Sequence, residues 1–291
     1  MTHDLDSPQL QPVLLPWLSA HLGEIDALVL DVDGVLSVGS RAIPGAGELL
    51  EFLADRGIPF ALLTNDGNNS IEQKVRLLAA AGLEVSAEAI TSSGHVLRDV
   101  ARELSLIGRL CFVAGRLGEP CYAEAAGIRV TRRLEELDRC AGVIIGEEDF
   151  DWETVINGIV NYFITRPQAP LIVPNPDLYF PLGEGRLRMA SGAVAALIRL
   201  VLQRHGTALR PLLLGKPYRP IFRHCHRRLE QRAYVRLRRA RVLMVGDSLL
   251  SDVLGARRFG YRSALVLTGA TTFERLLSSS VRPELVFRRI C

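Results

Sequence analysis

Leu28-Val-Leu-Asp-Val-Asp-Gly-Val-Leu36 is the stretch on which the reading of this chain turns. Its apolar start, Ala27 to Leu30, has the character of a strand buried on both faces, as in a parallel sheet. The run delivers Asp31 and Asp33 at the strand's C-terminal end, where open α/β sheets bind ligands. Gly34 follows and lets the chain turn sharply past the second acid. Along a regular strand, residues one apart point to opposite faces. Where the strand gives way to a turn, both can address one site, and two like charges held together call for a cation.

Beyond this stretch, Pro44-Gly-Ala-Gly opens a predicted helix through Glu48 to Asp55 that stops at Gly57. Pro59 to Leu63 reads as a second buried strand ending in Thr64-Asn65, and Ser70 to Gln73 as a capping box before a helix reaching Ala81. Upstream lie a polar lead, Met1 to Pro12, and a short helix from Pro16 to Leu22. The alternation predicts an α/β fold with a doubly wound parallel sheet and helices on its faces. Between about residues 91 and 208 it continues, with strands at 110–113, 142–145 and 171–173 and helices at 95–104, 152–164 and 193–204. That segment reads as an inserted, smaller α/β domain. The first sheet is then expected to resume with Pro211 to Leu214 before Gly215-Lys216-Pro217. Arg241 to Val245 before Gly246-Asp247-Ser248, a helix from Asp252 to Phe259 and a last strand at 263–267 complete it. The core is thus expected to comprise 1–90 and 209–291, and the insertion 91–208.

Composition excludes more than it assigns. The 291 residues are 48% apolar and 23% charged, with a net charge of +3, as in an ordinary globular protein. No apolar run approaches the roughly 18 residues of a membrane span, and no basic, signal-like region precedes Arg41, so no membrane partner is expected. Five cysteines without a CxxC pair fit a reducing, cytoplasmic setting. Lysine occurs only at Lys74 and Lys216 against 33 arginines, which singles each lysine out.

The predicted strand ends present Asp31 and Asp33, Thr64 and Asn65, Lys216, and Asp247 with Asp252. These residues suit phosphoryl transfer through an acyl-phosphate. A carboxylate attacks phosphorus only when the charge on both partners is screened, and a divalent cation and a lysine provide that. A second carboxyl can protonate the leaving alkoxide and then activate water. A hydroxyl and an amide can hold the phosphoryl oxygens. Oxygen-only ligands favour Mg²⁺ over zinc.

In these motifs the chain resembles the haloacid dehalogenase superfamily, in its NagD-like, p-nitrophenylphosphatase-like branch with a large α/β cap between the second and third motifs. The motifs are Asp31-Val-Asp33-Gly-Val-Leu36, Leu63-Thr64-Asn65, Gly215-Lys216-Pro217 and Gly246-Asp247-Ser-Leu-Leu-Ser-Asp252. Ala264 to Gly269 and the cap stretch Pro174-Asn-Pro-Asp-Leu-Tyr-Phe-Pro181 add to the likeness. The resemblance implies Asp31 as nucleophile and metal ligand, and Asp33 as general acid/base that also binds Mg²⁺ through its carbonyl. It implies Thr64 and Asn65 holding the phosphoryl group, Lys216 stabilising its charge, and Asp247 and Asp252 at the metal. Asn175 and Asp177 become candidate substrate residues of the cap. The implied activity is Mg²⁺-dependent hydrolysis of a small phosphorylated metabolite. A phosphotransferase or a regulatory protein on the same scaffold is the alternative, and the branch includes homodimers formed through the cap.

Other patterns carry less. Asp66 stands where a neutral residue is usual and reads as a turn residue. Gly146-Glu-Glu-Asp-Phe-Asp151 departs from the branch's usual pattern. Neighbours in His224-Cys225-His226 diverge by about 100° on a helix and do not share an ion. The nine arginines from Arg219 to Arg241 read as a solvated helix face rather than a nucleic-acid surface, and Cys111 and Cys140 as core.

Overall fold

The strand order explains why a short apolar run ending in two acids matters so much. The computed structural model describes residues 10–183 and 186–291, so the first nine residues of the polar lead lie outside the described residues. A seven-stranded sheet runs Leu10–Val13, Leu285–Arg289, Arg262–Val266, Val242–Gly246, Ala27–Leu30, Phe60–Thr64, Ile90–Ser92. Ala27–Leu30 pairs in parallel with Phe60–Thr64 on one side and with Val242–Gly246 on the other. From that central pair the chain winds outward in both directions, which makes the gap between the two strands the topological switch point. All four residues of Ala27–Leu30 and all five of Val242–Gly246 are buried, as an unalternating apolar run requires.

A second sheet of five strands runs Leu212–Leu213, Leu171–Val173, Val143–Ile145, Leu110–Ala114, Arg129–Thr131, and its described pairs are parallel. Its own switch point falls between Leu110–Ala114 and Val143–Ile145. Phe112, Phe163, Ile198 and Leu202 fill its core together with Cys140. Cys111 and Cys140 are both buried, and burial pushes each thiol up to about 11.

The chain divides into two compact units, one of residues 1–64, 71–91 and 222–291, the other of 65–70 and 92–221. The expected limits at 90/91 and 208/209 compare with 91/92 and 221/222. One expectation is corrected: the strand before Lys216 does not resume the first sheet. Leu212–Leu213 pairs instead with Leu171–Val173 of the five-stranded sheet. A short apolar run followed by Gly fits either sheet edge, so nothing local decides between them.

Candidate active site

The first unit carries a cluster of acids at its switch point. Asp31 follows Leu30 directly, Asp247 follows Gly246 directly, and Asp252 lies on the next turn. All three are buried, and ligand atoms of the three carboxylates lie within 4.8 Å of one another. Leu249–Val253 is a π-helical turn, leading into the helix Leu254–Phe259. Such turns recur at functional sites, and this one sets Asp252 facing inward, which the expected ordinary helix start at Asp252 did not anticipate.

Each acid is held by backbone. The Val32 amide donates to Asp31 Oδ1 at 2.7 Å, the Ala270 amide to Asp247 Oδ2 at 2.5 Å, and the Ser248 amide to Asp252 Oδ2 at 3.0 Å. Asp252 is fully buried. Glycines close round the carboxylates: a Cβ on Gly34 would stand 2.0 Å from Asp247 Oδ2, one on Gly269 1.9 Å from the same atom, and one on Gly246 2.3 Å from Asp252 Cγ. Thr268 Oγ1 donates to the Gly34 carbonyl at 2.6 Å and ties that loop down. Three oxygen-donor side chains in a buried cradle suit a hard divalent cation. Thr268 fell inside the run Ala264 to Gly269 without a role of its own, and Ala270 was not singled out, because their contribution is a tie and a backbone amide.

Asp33 lies just beyond, exposed, in a tight loop where the Leu36 and Ser37 amides donate to the Val32 carbonyl. Asp31 is thus buried and Asp33 open to solvent. Thr64, at the end of Phe60–Thr64, is 2% exposed.

The second unit holds Asn65, Lys216, Asn175 and Asp177, all bonded together. Asn65 Oδ1 accepts the Lys216 amide at 2.7 Å, while its Nδ2 donates to the Lys216 carbonyl and to Asp177 Oδ2, both at 3.0 Å. Asn175 Oδ1 accepts the Asp177 amide at 3.0 Å, and its Nδ2 donates to Glu147 Oε1 at 2.7 Å. Lys216 is buried, as is Lys74, so neither lysine of this arginine-rich chain is an exposed one. Gly215 allows the close fit, since a Cβ there would lie 2.5 Å from Asn65 Oδ1.

Glu147 was not singled out from sequence, although it follows the strand Val143–Ile145 by two residues. It is buried; burial pushes its carboxyl above the usual carboxylate range, hydrogen bonds from Ser191 and Asn175 draw it back, and Asp66 adds a push upward. Asp66 itself is a turn residue: its carboxylate accepts from the Asn68 and Asn69 amides at 2.7 and 3.2 Å and from Asn69 Nδ2 at 2.9 Å.

The sequence matches the haloacid dehalogenase-like hydrolases over residues 28–129 and a second, HAD-hydrolase-like pattern over 213–291. The chain belongs to the haloacid dehalogenase-like hydrolases. Within them it is NagD-like: it is 27% identical over 264 residues to the ribonucleotide monophosphatase NagD of Escherichia coli K12, covering 90% of this chain and 96% of that protein. It is 26% identical to the acid sugar phosphatase of Staphylococcus aureus USA300, covering 90% and 94%. The crystal structure of a possible sugar phosphatase from Cytophaga hutchinsonii superposes with a TM-score of 0.81 at 26% identity, covering 97% and 98%. Among the described residues of this hydrolase, no helix is long and apolar enough to cross a membrane.

Proposed function

We propose that the chain is a Mg²⁺-dependent phosphatase that hydrolyses a small phosphomonoester through a phosphoryl group carried on Asp31. The observation that carries this is the trio Asp31, Asp247 and Asp252, buried within 4.8 Å of one another, with exposed Asp33 two residues beyond the first. Asp31, Asp247, Asp252 and the Asp33 carbonyl would hold the ion. Bound there, Mg²⁺ would screen the negative charge that otherwise keeps a carboxylate from a phosphate.

Asp31 attacks phosphorus, the bond to the ester oxygen breaks, and Asp33 gives its proton to the departing alkoxide. Asp33, now a carboxylate, takes a proton from water as that water attacks the same phosphorus. The bond to Asp31 breaks, inorganic phosphate leaves and Asp31 is restored. Thr64 and Asn65 hold phosphoryl oxygens, and Lys216 offsets the charge that accumulates on them. The inserted segment 91–208 is the cap, and Asn175 and Asp177 are its candidate substrate residues. The relatives' names, a ribonucleotide monophosphatase and an acid sugar phosphatase, support phosphomonoesters of small metabolites as the substrate class.

The deciding assay is phosphate release with Mg²⁺ from a panel of ribonucleoside monophosphates and sugar phosphates, run beside Asp31→Asn. Turnover is expected in the wild type and a loss of roughly three orders of magnitude or more in the variant, with the fold kept. Equal turnover in the two proteins would remove Asp31 as nucleophile.

A further inference from the structure

We infer that Glu147 is a positioning residue that sets the geometry of Asn175, Asp177, Asn65 and Lys216 through one continuous line of hydrogen bonds. The line runs from the Glu147 carboxyl to Asn175 Nδ2 (2.7 Å), from Asn175 Oδ1 to the Asp177 amide (3.0 Å), from Asp177 Oδ2 to Asn65 Nδ2 (3.0 Å), and from Asn65 to the Lys216 amide and carbonyl (2.7 and 3.0 Å). All of it lies in the second unit.

The placement follows from topology. Glu147, Asn175 and Lys216 each follow the C-terminal end of a strand, Val143–Ile145, Leu171–Val173 and Leu212–Leu213, in neighbouring order within one parallel sheet. Glu147 stands at that sheet's switch point, where its amide donates to the Arg116 carbonyl at 2.7 Å and its carbonyl accepts the Arg116 amide at 2.6 Å. Its main chain is therefore fixed on the strand edge, and its side chain has a fixed origin.

A primary amide has a donor end and an acceptor end, and turned over it would oppose like to like. Asn175 is buried, so water does not correct a wrong choice. A carboxylate accepts only, so Glu147 selects the orientation in which Asn175 Nδ2 faces it and Oδ1 faces the Asp177 amide. Asp177, so placed, accepts from Asn65, and Asn65 in turn grips both polar groups of the Lys216 backbone. Glu147 thereby orients two residues assigned to phosphoryl binding without touching either.

The inference rests on the phosphatase reading for its kinetic arm alone, and its test has a second arm. Hydrogen exchange is followed at the Asp177 and Lys216 amides in the full-length wild type, Glu147→Ala and the near-isosteric Glu147→Gln, which keeps one acceptor but puts an NH₂ where another stood. Exchange at both amides is expected to quicken roughly tenfold in the variants, with the amides of Leu110–Ala114 unchanged. Unchanged protection at Asp177 and Lys216 overturns the inference. In the kinetic arm, Glu147→Ala and Asn175→Ala should each lower kcat/KM about tenfold, and the double variant should fall little below the worse single one. Additive losses mean that Glu147 does not act through Asn175. If the wild type hydrolyses no phosphomonoester while the amides respond, the relay stands and the phosphatase reading falls. If the wild type turns over and neither arm responds, the reverse holds.

Discussion

Burial of a carboxyl is a statement about protons as well as about geometry, and Glu147 shows it. Its folded-state pKa is raised above the ordinary 4.5, by burial first and by the Asp66 charge in addition, against the hydrogen bonds from Ser191 and Asn175. A raised carboxyl binds its proton more tightly folded than unfolded. Above the unfolded value, the native state holds more protons than the unfolded chain, so stability falls as pH rises to the folded pKa and stays lowered beyond it. Glutamine does not titrate. The melting temperature of Glu147→Gln minus that of the wild type should therefore grow as pH rises from about 4.5 and then level off. A difference that stays flat between about pH 4 and pH 8 would mean that the carboxyl is not shifted. The expected variant is relatively more stable at neutral pH yet poorer in turnover, the trade-off of a site residue rather than of a packing one. None of this was legible in Gly146-Glu-Glu-Asp, since which glutamate is dry depends on what packs over the strand end. The positions of Asp31 and Asp247 were legible, because a buried apolar run that ends in an acid places that acid at the strand's end; that Asp252 joins them was not legible in such a run, since a π-helical turn brings it in.

At the scale of elements, the helix Arg219–Ala233 joins a core face to a bracing one. Its apolar side was readable: Ile221, Phe222, Cys225 and Leu229 recur at helical spacing, and all are buried. Its arginines were expected to face water, and that is corrected in part. Arg228 Nη1 donates to the Ile90 carbonyl at 3.0 Å and Arg232 Nη1 to the Glu88 carbonyl at 2.9 Å, so both brace the turn that leads into Ile90–Ser92. Past the helix, Arg238 and Arg241 share Asp26, and Arg239 lies 4.3 Å over the Phe259 ring. Sequence pattern places arginines on a face; which carbonyls come within reach is decided by a strand more than a hundred positions away. In His224-Cys225-His226 the neighbours diverge as the helical angle requires: His226 Nδ1 lies 3.0 Å from the Tyr261 hydroxyl, and His224 Nδ1 3.3 Å from Arg227 Nη2. If the arginines brace the fold, removing Arg228 and Arg232 together (to Ala) should lower unfolding stability by about 1–2 kcal/mol in urea. Unchanged stability, with loss of a steeply salt-dependent affinity for nucleic acid, would reverse the assignment.

Across the whole molecule, the alternation of strands and helices predicted an insertion between two halves of a doubly wound core. It did not predict that the motif Leu63-Thr64-Asn65 divides, with Thr64 in one unit and Asn65 in the other. The reason is long-range: Asn65 bonds to Lys216, 151 positions on, and to Asp177, 112 positions on, and no local pattern contains either partner. The acids of the first unit bear on the stability of the entire chain. Asp31, Asp247 and Asp252 are buried within 4.8 Å of one another, and without a cation their charges oppose one another in a poorly solvating place. A cation that binds only the folded chain adds about 2.7 kcal/mol when present at a hundred times its dissociation constant. Mg²⁺ should therefore raise the melting temperature of the wild type, and EDTA should lower it again. Asp252→Asn removes one charge while keeping an acceptor for the Ser248 amide, which Asp252 Oδ2 now takes at 3.0 Å. In EDTA the variant should melt above the wild type, and in Mg²⁺ it should respond far less, so that the order of the two proteins reverses as Mg²⁺ is added. Were the wild type indifferent to Mg²⁺ and the variant no more stable in EDTA, the three acids would be neither in mutual repulsion nor a cation site. The assignment of the metal would then have to be withdrawn.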